Sequence, residues 1–166
     1  MKGEKRVFLR EAVRLALRSG CLRAKNGAVL TRDGRCLVKA YNQVFPTNDF
    51  CQKRGCLRDK LRLGLGREAE KCRAVHAEAQ AVALAAARGV SLKGATAWLT
   101  GQPCINCAKL LYSVGVKAVY FLDYHADQTG EIFLKRMGIE CRRVNLPGDH
   151  PEERLRDLRG QTHLRV

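Results

Sequence analysis

Aromatic side chains are scarce in this sequence. Phe, Tyr and Trp make up 6% of its 166 residues. They do not interleave the basic runs in the way a stacking platform for single strands requires. Proline is also rare, at four residues, and no repeat, low-complexity tract or Pro/Ser-rich linker divides the chain. No apolar run approaches the roughly 18–20 residues of a membrane helix, so no membrane partner is expected. The opening residues Met1–Arg6 are basic, but Glu11, Arg14 and Arg18 interrupt the apolar residues after them. That pattern does not read as a secretory signal, and the expected location is the cytoplasm. Acidic residues are half as common as basic ones, 16 against 31, leaving a formal net charge of +15.

Hydrophobic residues reach 46%, which suits a packed globule, not a disordered basic tail. The length suits one domain over residues 1–166. The positive charge is concentrated in two places. Residues 1–25 hold eight basic and two acidic side chains, net +6, and residues 51–74 hold eight and three, net +5. Such concentrations favour phosphate-bearing partners. A solvated, Arg-rich surface accounts for them equally well.

Eight cysteines stand at 21, 36, 51, 56, 72, 104, 107 and 141. In a reducing compartment, clustered thiols more often bind metal than pair as disulfides. Cys36 and Cys141 fall in apparent strands and read as ordinary buried thiols. The other six have polar or turn-like surroundings and ligand-like spacing.

Residues 4–19 set Val7, Phe8, Ala12, Val13, Leu15 and Ala16 against Arg6, Arg10, Arg14 and Arg18, an amphipathic helix closed by Gly20. Strands at Gly27–Thr31 and Arg35–Tyr41 flank an Asp33-Gly34 turn. Residues 42–75 read as a long, basic, cysteine-bearing insertion with a helical hint near Leu57–Leu63. Thereafter helices at His76–Arg88, Cys104–Val114 and Asp127–Met137 alternate with strands at Ala95–Thr100, Val116–Leu122 and Ile139–Val144. This alternation predicts α/β layers with a partly parallel sheet. A weak helix is expected at Pro151–Leu158.

Two fragments carry chemistry: His76-Ala77-Glu78 at a helix start, and Pro103-Cys104-Ile105-Asn106-Cys107 after a strand. Cys104 and Cys107 are three apart and share a helix face, with Pro103 suited to the first helical position. The positive end of that helix favours thiolates, the metal-binding form. With His76 they make three ligands and leave a fourth zinc position to water, as in catalytic zinc sites. Glu78 is two residues from His76, so the two side chains diverge and Glu78 is free to act as a proton carrier. Singly, each feature has a plainer explanation, whether a redox pair, a surface histidine or a dipole-matching glutamate. Together they form the H-x-E…P-C-x-x-C pattern of zinc-dependent nucleobase deaminases.

From about Lys25 to Cys141 the sequence resembles the cytidine and deoxycytidylate deaminase superfamily, specifically its dCMP deaminase branch. Asn26-Gly27-Ala28-Val29-Leu30, Ala40-Tyr41-Asn42, Gly55-Cys56-Leu57-Arg58 and Cys72-Arg73-Ala74-Val75-His76-Ala77-Glu78 carry the likeness, followed by Gly94-Ala95-Thr96, Pro103 through Lys109, and Val119-Tyr120. The resemblance implies a three-layer α/β/α fold around a five-stranded mixed sheet. It implies zinc-dependent hydrolytic loss of ammonia from a cytosine mononucleotide, most simply dCMP, by a homo-oligomer. It also implies sugar contact by Asn42, base contact by the Ala77 backbone, and Tyr124 on the sugar-phosphate side.

In this branch a second, structural zinc can bind in the regions holding Cys21, Cys51, Cys56 and Cys72; free thiols on a basic loop are the alternative. The sequence departs from the family pattern at Gln43, where Gly is common, and at Gln80, where Asn is common. A rival with the same zinc chemistry is a deaminase acting on a base in RNA or single-stranded DNA. A non-catalytic zinc-stapled nucleic-acid module is a third reading, against which Glu78 speaks.

Overall fold

The computed structural model describes residues 2–64, 71–125, 127–146 and 148. The weak helix expected at 151–158 lies outside them. Helix α1 (Lys2–Ala16) is followed by the hairpin β1 (Gly27–Arg32) and β2 (Arg35–Tyr41). Its turn residues Asp33 and Gly34 both have positive φ, 50° and 74°, the left-handed geometry of a tight hairpin turn.

The 42–75 segment is more structured than its sequence suggests. It holds a short strand β3 (Gln43–Val44), helices α2 (Phe50–Arg54) and α3 (Leu57–Lys60), and β4 (Ala74–Val75), which pairs antiparallel with β3. Then come α4 (Ala77–Ala87), β5 (Thr96–Gly101), α5 (Ile105–Ser113), β6 (Ala118–Asp123), α6 (Thr129–Arg136) and β7 (Glu140–Arg143).

The main sheet has the order β2-β1-β5-β6-β7. β1 is antiparallel to both neighbours, whereas β5, β6 and β7 run parallel. The sheet is therefore mixed and five-stranded, as the family likeness implies. Strand alternation splits its side chains between two cores. Ala28, Leu30, Ala97, Leu99, Val119 and Phe121 face one layer with Ala81 of α4, Leu111 of α5 and Leu134 of α6. Val29, Trp98, Tyr120 and Leu122 face the other with Leu9, Ala12 and Leu15 of α1. Trp98 stacks on Tyr120 at 4.9 Å and donates its Nε1–H to Thr31 Oγ1 at 2.8 Å, so its one polar atom is satisfied.

Two expectations from the sequence are corrected by the fold. α1 stops at Ala16, short of Gly20. The chain tightens there through Arg18 and Ser19 amides donating to Leu15 and Ala16 carbonyls, which lets Ser19 Oγ donate to the Asn42 carbonyl at 2.7 Å. Cys36 is exposed, not a buried strand thiol. A register shift between Leu30 and Thr31 pairs them with Val38 and Cys36, so Leu37 is an extra residue. That bulge breaks the alternation that would have put Cys36 on the face of Val38 and Ala40. Cys141 is buried as expected.

α1 crosses β1 with almost no clearance at Gly27, where an added Cβ would fall 1.9 Å from the Ala12 carbonyl oxygen. The Gly27→Ala variant is expected to lose about 3 kcal/mol or more of stability, since overpacking against backbone cannot relax by a rotamer change. Urea unfolding checks it, and a midpoint equal to that of wild type would contradict this packing.

Candidate active site

Each metal-ligand segment is delivered by a strand to a helix start. β3 and β4 pair Gln43 with Val75, which places His76 as the residue capping α4, in extended conformation with φ −64° and ψ 151°. β5 runs into Gln102 and Pro103, and Cys104 caps α5 with φ −68° and ψ 167°. Pro103 is thus not the first helical residue as expected; it precedes the cap, and Cys104 and Cys107 occupy the cap and third positions. Side chains at those two positions meet by the same geometry that serves a capping box.

His76 Nδ1 lies 3.6 Å from Cys104 Sγ and 3.5 Å from Cys107 Sγ. Among the described residues, these three form a group whose ligand atoms all lie within 4.8 Å of one another. The spacing can be tested against zinc. With Zn–S about 2.3 Å and Zn–N about 2.0–2.1 Å at tetrahedral angles, nitrogen and sulfur should sit about 3.6 Å apart. The observed separations match, and one imidazole with two thiols is a donor set that suits zinc.

The electrostatics agree with that use. A hydrogen bond from Cys107, then one with His76, holds the Cys104 thiol far below its ordinary range, while Cys107, donating to Cys104 and buried, is pushed up. The pair shares a proton that a metal would displace. The hydrogen bond with Cys104 raises the His76 pKa against the opposing effect of burial. Glu78 is only 7% exposed, and its burial raises its pKa. A carboxyl that is easily protonated can both accept and return a proton.

A buried polar brace that sequence reasoning missed fixes the turn between β5 and α5. Gln102, 3% exposed, donates from Nε2 to Glu131 Oε2 at 2.8 Å and accepts at Oε1 from the His125 amide at 2.9 Å. Nothing in the local sequence marks this glutamine, because its partners lie 23 and 29 residues away.

The remaining expected residues are more dispersed. Ala77 is buried in the first turn of α4, where backbone N–H groups lack intrahelical partners. Tyr124 is exposed beyond β6, edge-on to Phe121 with the Arg143 guanidinium 5.2 Å over its ring. Asn42 is buried, and its side chain bonds within the chain, accepting from the Asn26 amide at 2.7 Å and donating to the Ala24 carbonyl at 2.9 Å. Gln43 and Gln80, the two departures from the family pattern, meet each other, with Nε2 of Gln80 3.4 Å from Oε1 of Gln43. Cys51 and Cys56 are buried, Cys21 and Cys72 half-buried. Burial, then the charges of Cys56, Cys21 and Cys72, push the Cys51 thiol up. Their sulfurs are not drawn together as closely as the ligand atoms of His76, Cys104 and Cys107.

Residues 2–123 match the family model for the cytidine and deoxycytidylate deaminase zinc-binding region. The chain belongs to this family. It is 30% identical over 159 residues to ComE operon protein 2 of Bacillus subtilis, covering 95% of this chain and 77% of that protein. It is 29% identical over 141 residues to the deoxycytidylate deaminase of Schizosaccharomyces pombe, but spans only 44% of that protein's length against 84% of its own. The structure of a dCMP deaminase from the cyanophage S-TIM5 superposes with a TM-score of 0.68 at 25% identity, over 87% of this chain and 99% of that one. The family supplies hydrolytic nucleotide deamination as its activity and zinc as its metal, which the His76, Cys104 and Cys107 spacing accommodates.

The start of α6 presses on the metal-ligand turn. A Cβ on Gly130 would fall 2.1 Å from the Pro103 carbonyl oxygen and 2.9 Å from the Cys104 carbonyl carbon. Gly130→Ala is expected to weaken zinc binding by about ten- to a hundredfold, the scale for groups that orient metal ligands. Competition with a chromophoric chelator measures this; unchanged affinity would show that Cys104 does not depend on α6.

Proposed function

We propose that this protein catalyses the hydrolysis of deoxycytidylate to deoxyuridylate and ammonia, with zinc as cofactor. The observation that carries the reading is a three-ligand His76, Cys104, Cys107 site with the buried Glu78 in the adjoining helical turn. Relatives named deoxycytidylate deaminase support the nucleotide, and the excess of 31 basic over 16 acidic residues supports a phosphate-bearing substrate.

His76, Cys104 and Cys107 would hold the zinc, which when bound supplies a Lewis acid that makes water a competent nucleophile near pH 7. Glu78 takes the proton released from the attacking water and delivers it to N3 of the cytosine ring. Protonation at N3 draws electrons from C4, where the new C–O bond forms. Glu78 then takes the proton of the new C4 hydroxyl and passes it to the amino group, the C4–N bond breaks as the C4 carbonyl forms, and ammonia leaves. The low-dielectric surroundings that raise the Glu78 pKa suit it to both transfers. Asn42 on the sugar, the Ala77 backbone on the base and Tyr124 on the sugar-phosphate side complete the reading by family resemblance.

Ammonia release from dCMP, deoxycytidine, adenosine-containing RNA and single-stranded DNA tests the substrate. Activity on dCMP at least tenfold above deoxycytidine is expected, from one charge-assisted phosphate contact; preference for either polymer would promote nucleic-acid deamination instead. Glu78→Gln should keep zinc and fold yet lose about two to four orders of magnitude in turnover. An enzyme with zinc bound and turnover within tenfold of wild type would overturn the role of Glu78.

The same reading includes a homo-oligomer, supported by exposed Tyr112 of α5, Ile132 of α6 and Met137 just after α6. A reducing compartment, the cytoplasm, belongs to this reading and is supported by the two cysteines of the site, which bind metal as thiolates. Among the described residues no helix is long and apolar enough to cross a membrane.

We extend the cofactor reading to a second zinc held by Cys21, Cys51, Cys56 and Cys72. Closing their sulfurs around a metal would supply folding energy to the 42–75 segment. Elemental analysis should find two zinc ions per chain, falling to one in a Cys56→Ser, Cys72→Ser variant. One zinc in both proteins removes the second site.

A further inference from the structure

We infer that Gln102 is a positioning residue for the reaction: it locks residues 123–125, which follow β6, to the turn that carries Cys104. The metal-ligand turn and one wall of the substrate crevice then move as a single body. This assignment rests on the reading of the protein as a zinc-dependent nucleotide deaminase.

Where strands of an open α/β sheet run parallel, ligands bind in the crevice beyond their carboxyl ends. β5 and β6 are parallel neighbours, with Gly101 opposite Asp123 where they end. Cys104 follows Gly101 by three residues, so the metal-ligand turn leaves the sheet at that end. Tyr124 and His125 leave it at the same end, one strand spacing of about 4.8 Å to the side. A molecule bound at Cys104 therefore has the 123–125 segment beside it. Past Gly101 and Asp123 the strand ladder stops, and another contact must keep the two exits in register.

Gln102 makes that contact with backbone and side chain together. Its amide N–H donates to the Asp123 carbonyl at 2.8 Å. Its Oε1 accepts from the His125 amide at 2.9 Å, and its Nε2 donates to Glu131 Oε2 at 2.8 Å. These partners fix which end of the side-chain amide is which, since a backbone N–H only donates and a carboxylate oxygen accepts. The other Glu131 oxygen pairs with Lys135 Nζ at 2.7 Å, so the anchor on α6 is itself held. On the far side of the segment, Arg143 Nε donates to the Leu122 carbonyl at 2.8 Å, with its guanidinium 5.2 Å over the Tyr124 ring. The segment is clamped between the two.

Gln102 is 3% exposed and so is sealed from any ligand. It can act on the reaction only through what it holds, which makes it a positioning residue and not a catalytic one. Its chemistry is also specific. The place calls for an acceptor and a donor on one side chain, and a carboxylate of the same shape offers two acceptors.

The test exchanges the two polar groups. Gln102→Glu sets a second carboxylate against Glu131, with no proton between facing oxygens. It is expected to raise the KM for dCMP about tenfold, the scale of one buried polar bond lost. Its kcat should stay within about threefold of wild type, since uniform binding and not the reacting atoms is disturbed. Zinc affinity, measured by competition with a chromophoric chelator, should fall by about tenfold or more. The Gln102→Glu, Glu131→Gln double variant keeps an acceptor for His125, a donor–acceptor pair between turn and α6, and an acceptor for Lys135. It should return both quantities to within about threefold of wild type. A role in stability alone would leave KM unmoved. If Gln102→Glu does not fold, Gln102→Met drops both side-chain bonds at similar length and should raise KM likewise. An unchanged KM or zinc affinity in a folded single variant would overturn the inference, as would losses that the double variant does not reverse. Wild-type protein that binds zinc yet releases no ammonia from dCMP would remove the reaction reading instead. The loss and recovery of zinc affinity, read without substrate, would then still decide whether Gln102 holds the turn.

Discussion

The site depends on two helix starts being held nose to nose. His76 and Cys104 are both cap residues in extended conformation, so each lies just outside its helix, where a side chain can reach across to the other. Two helix N-termini repel through their aligned dipoles unless something negative lies between them. Thiolates supply that charge, and the hydrogen-bonded Cys104 and Cys107 pair already favours one of them. The same positive ends that the thiolates neutralise also lower the cost of forming them. Metal binding and the packing of α4 beside α5 are therefore one electrostatic arrangement.

That arrangement tolerates little backbone movement, and the surroundings are correspondingly close. Gly130 lets α6 touch the Pro103 and Cys104 backbone. Gln102 ties the turn leading to Cys104 to Glu131 of α6 and to the His125 amide. β3 and β4, two residues each, are too short to be stable alone, yet they set where His76 begins. They are held from outside, since Ser19 donates to the Asn42 carbonyl just ahead of β3. The early end of α1 at Ala16 serves this contact.

The fold was largely legible because its signals are periodic and local. Val29, Trp98 and Tyr120 alternate with residues of the opposite core, and the Asp33-Gly34 turn sits where the strands require it. The grouping of His76, Cys104 and Cys107 was legible because their spacing is local within each of two fragments. What escaped was either local geometry without a pattern or contact over long separations. The bulge at Leu37 reversed the face of Cys36, and no residue type announces a bulge. Pro103 moved out of the helix because Cys104 took the cap. The Gln102 brace and the Asn26, Asn42 and Thr100 linkages join residues 16 to 74 apart, which no short window contains.

The two concentrations of positive charge also acquire different meanings once placed in the fold. Arg6, Arg10 and Arg14 are exposed on α1, and Arg18 just beyond its end; the buried side of α1 packs on the sheet face opposite α4 and α5. The sheet stands between the α1 arginines and the layer of α4 and α5, and exposed charges more than a Debye length apart, about 8 Å at physiological salt, are largely screened from one another. The α1 arginines add to the overall field that draws in anions. The second concentration lies in the segment that ends at β4, beside His76, with the Arg73 guanidinium 5.1 Å over the Phe50 ring. Arg58 of this segment acts electrostatically on His76. Net charge alone therefore overstates the case for a polymeric substrate, because the α1 arginines stand on the far side of the sheet from α4 and α5.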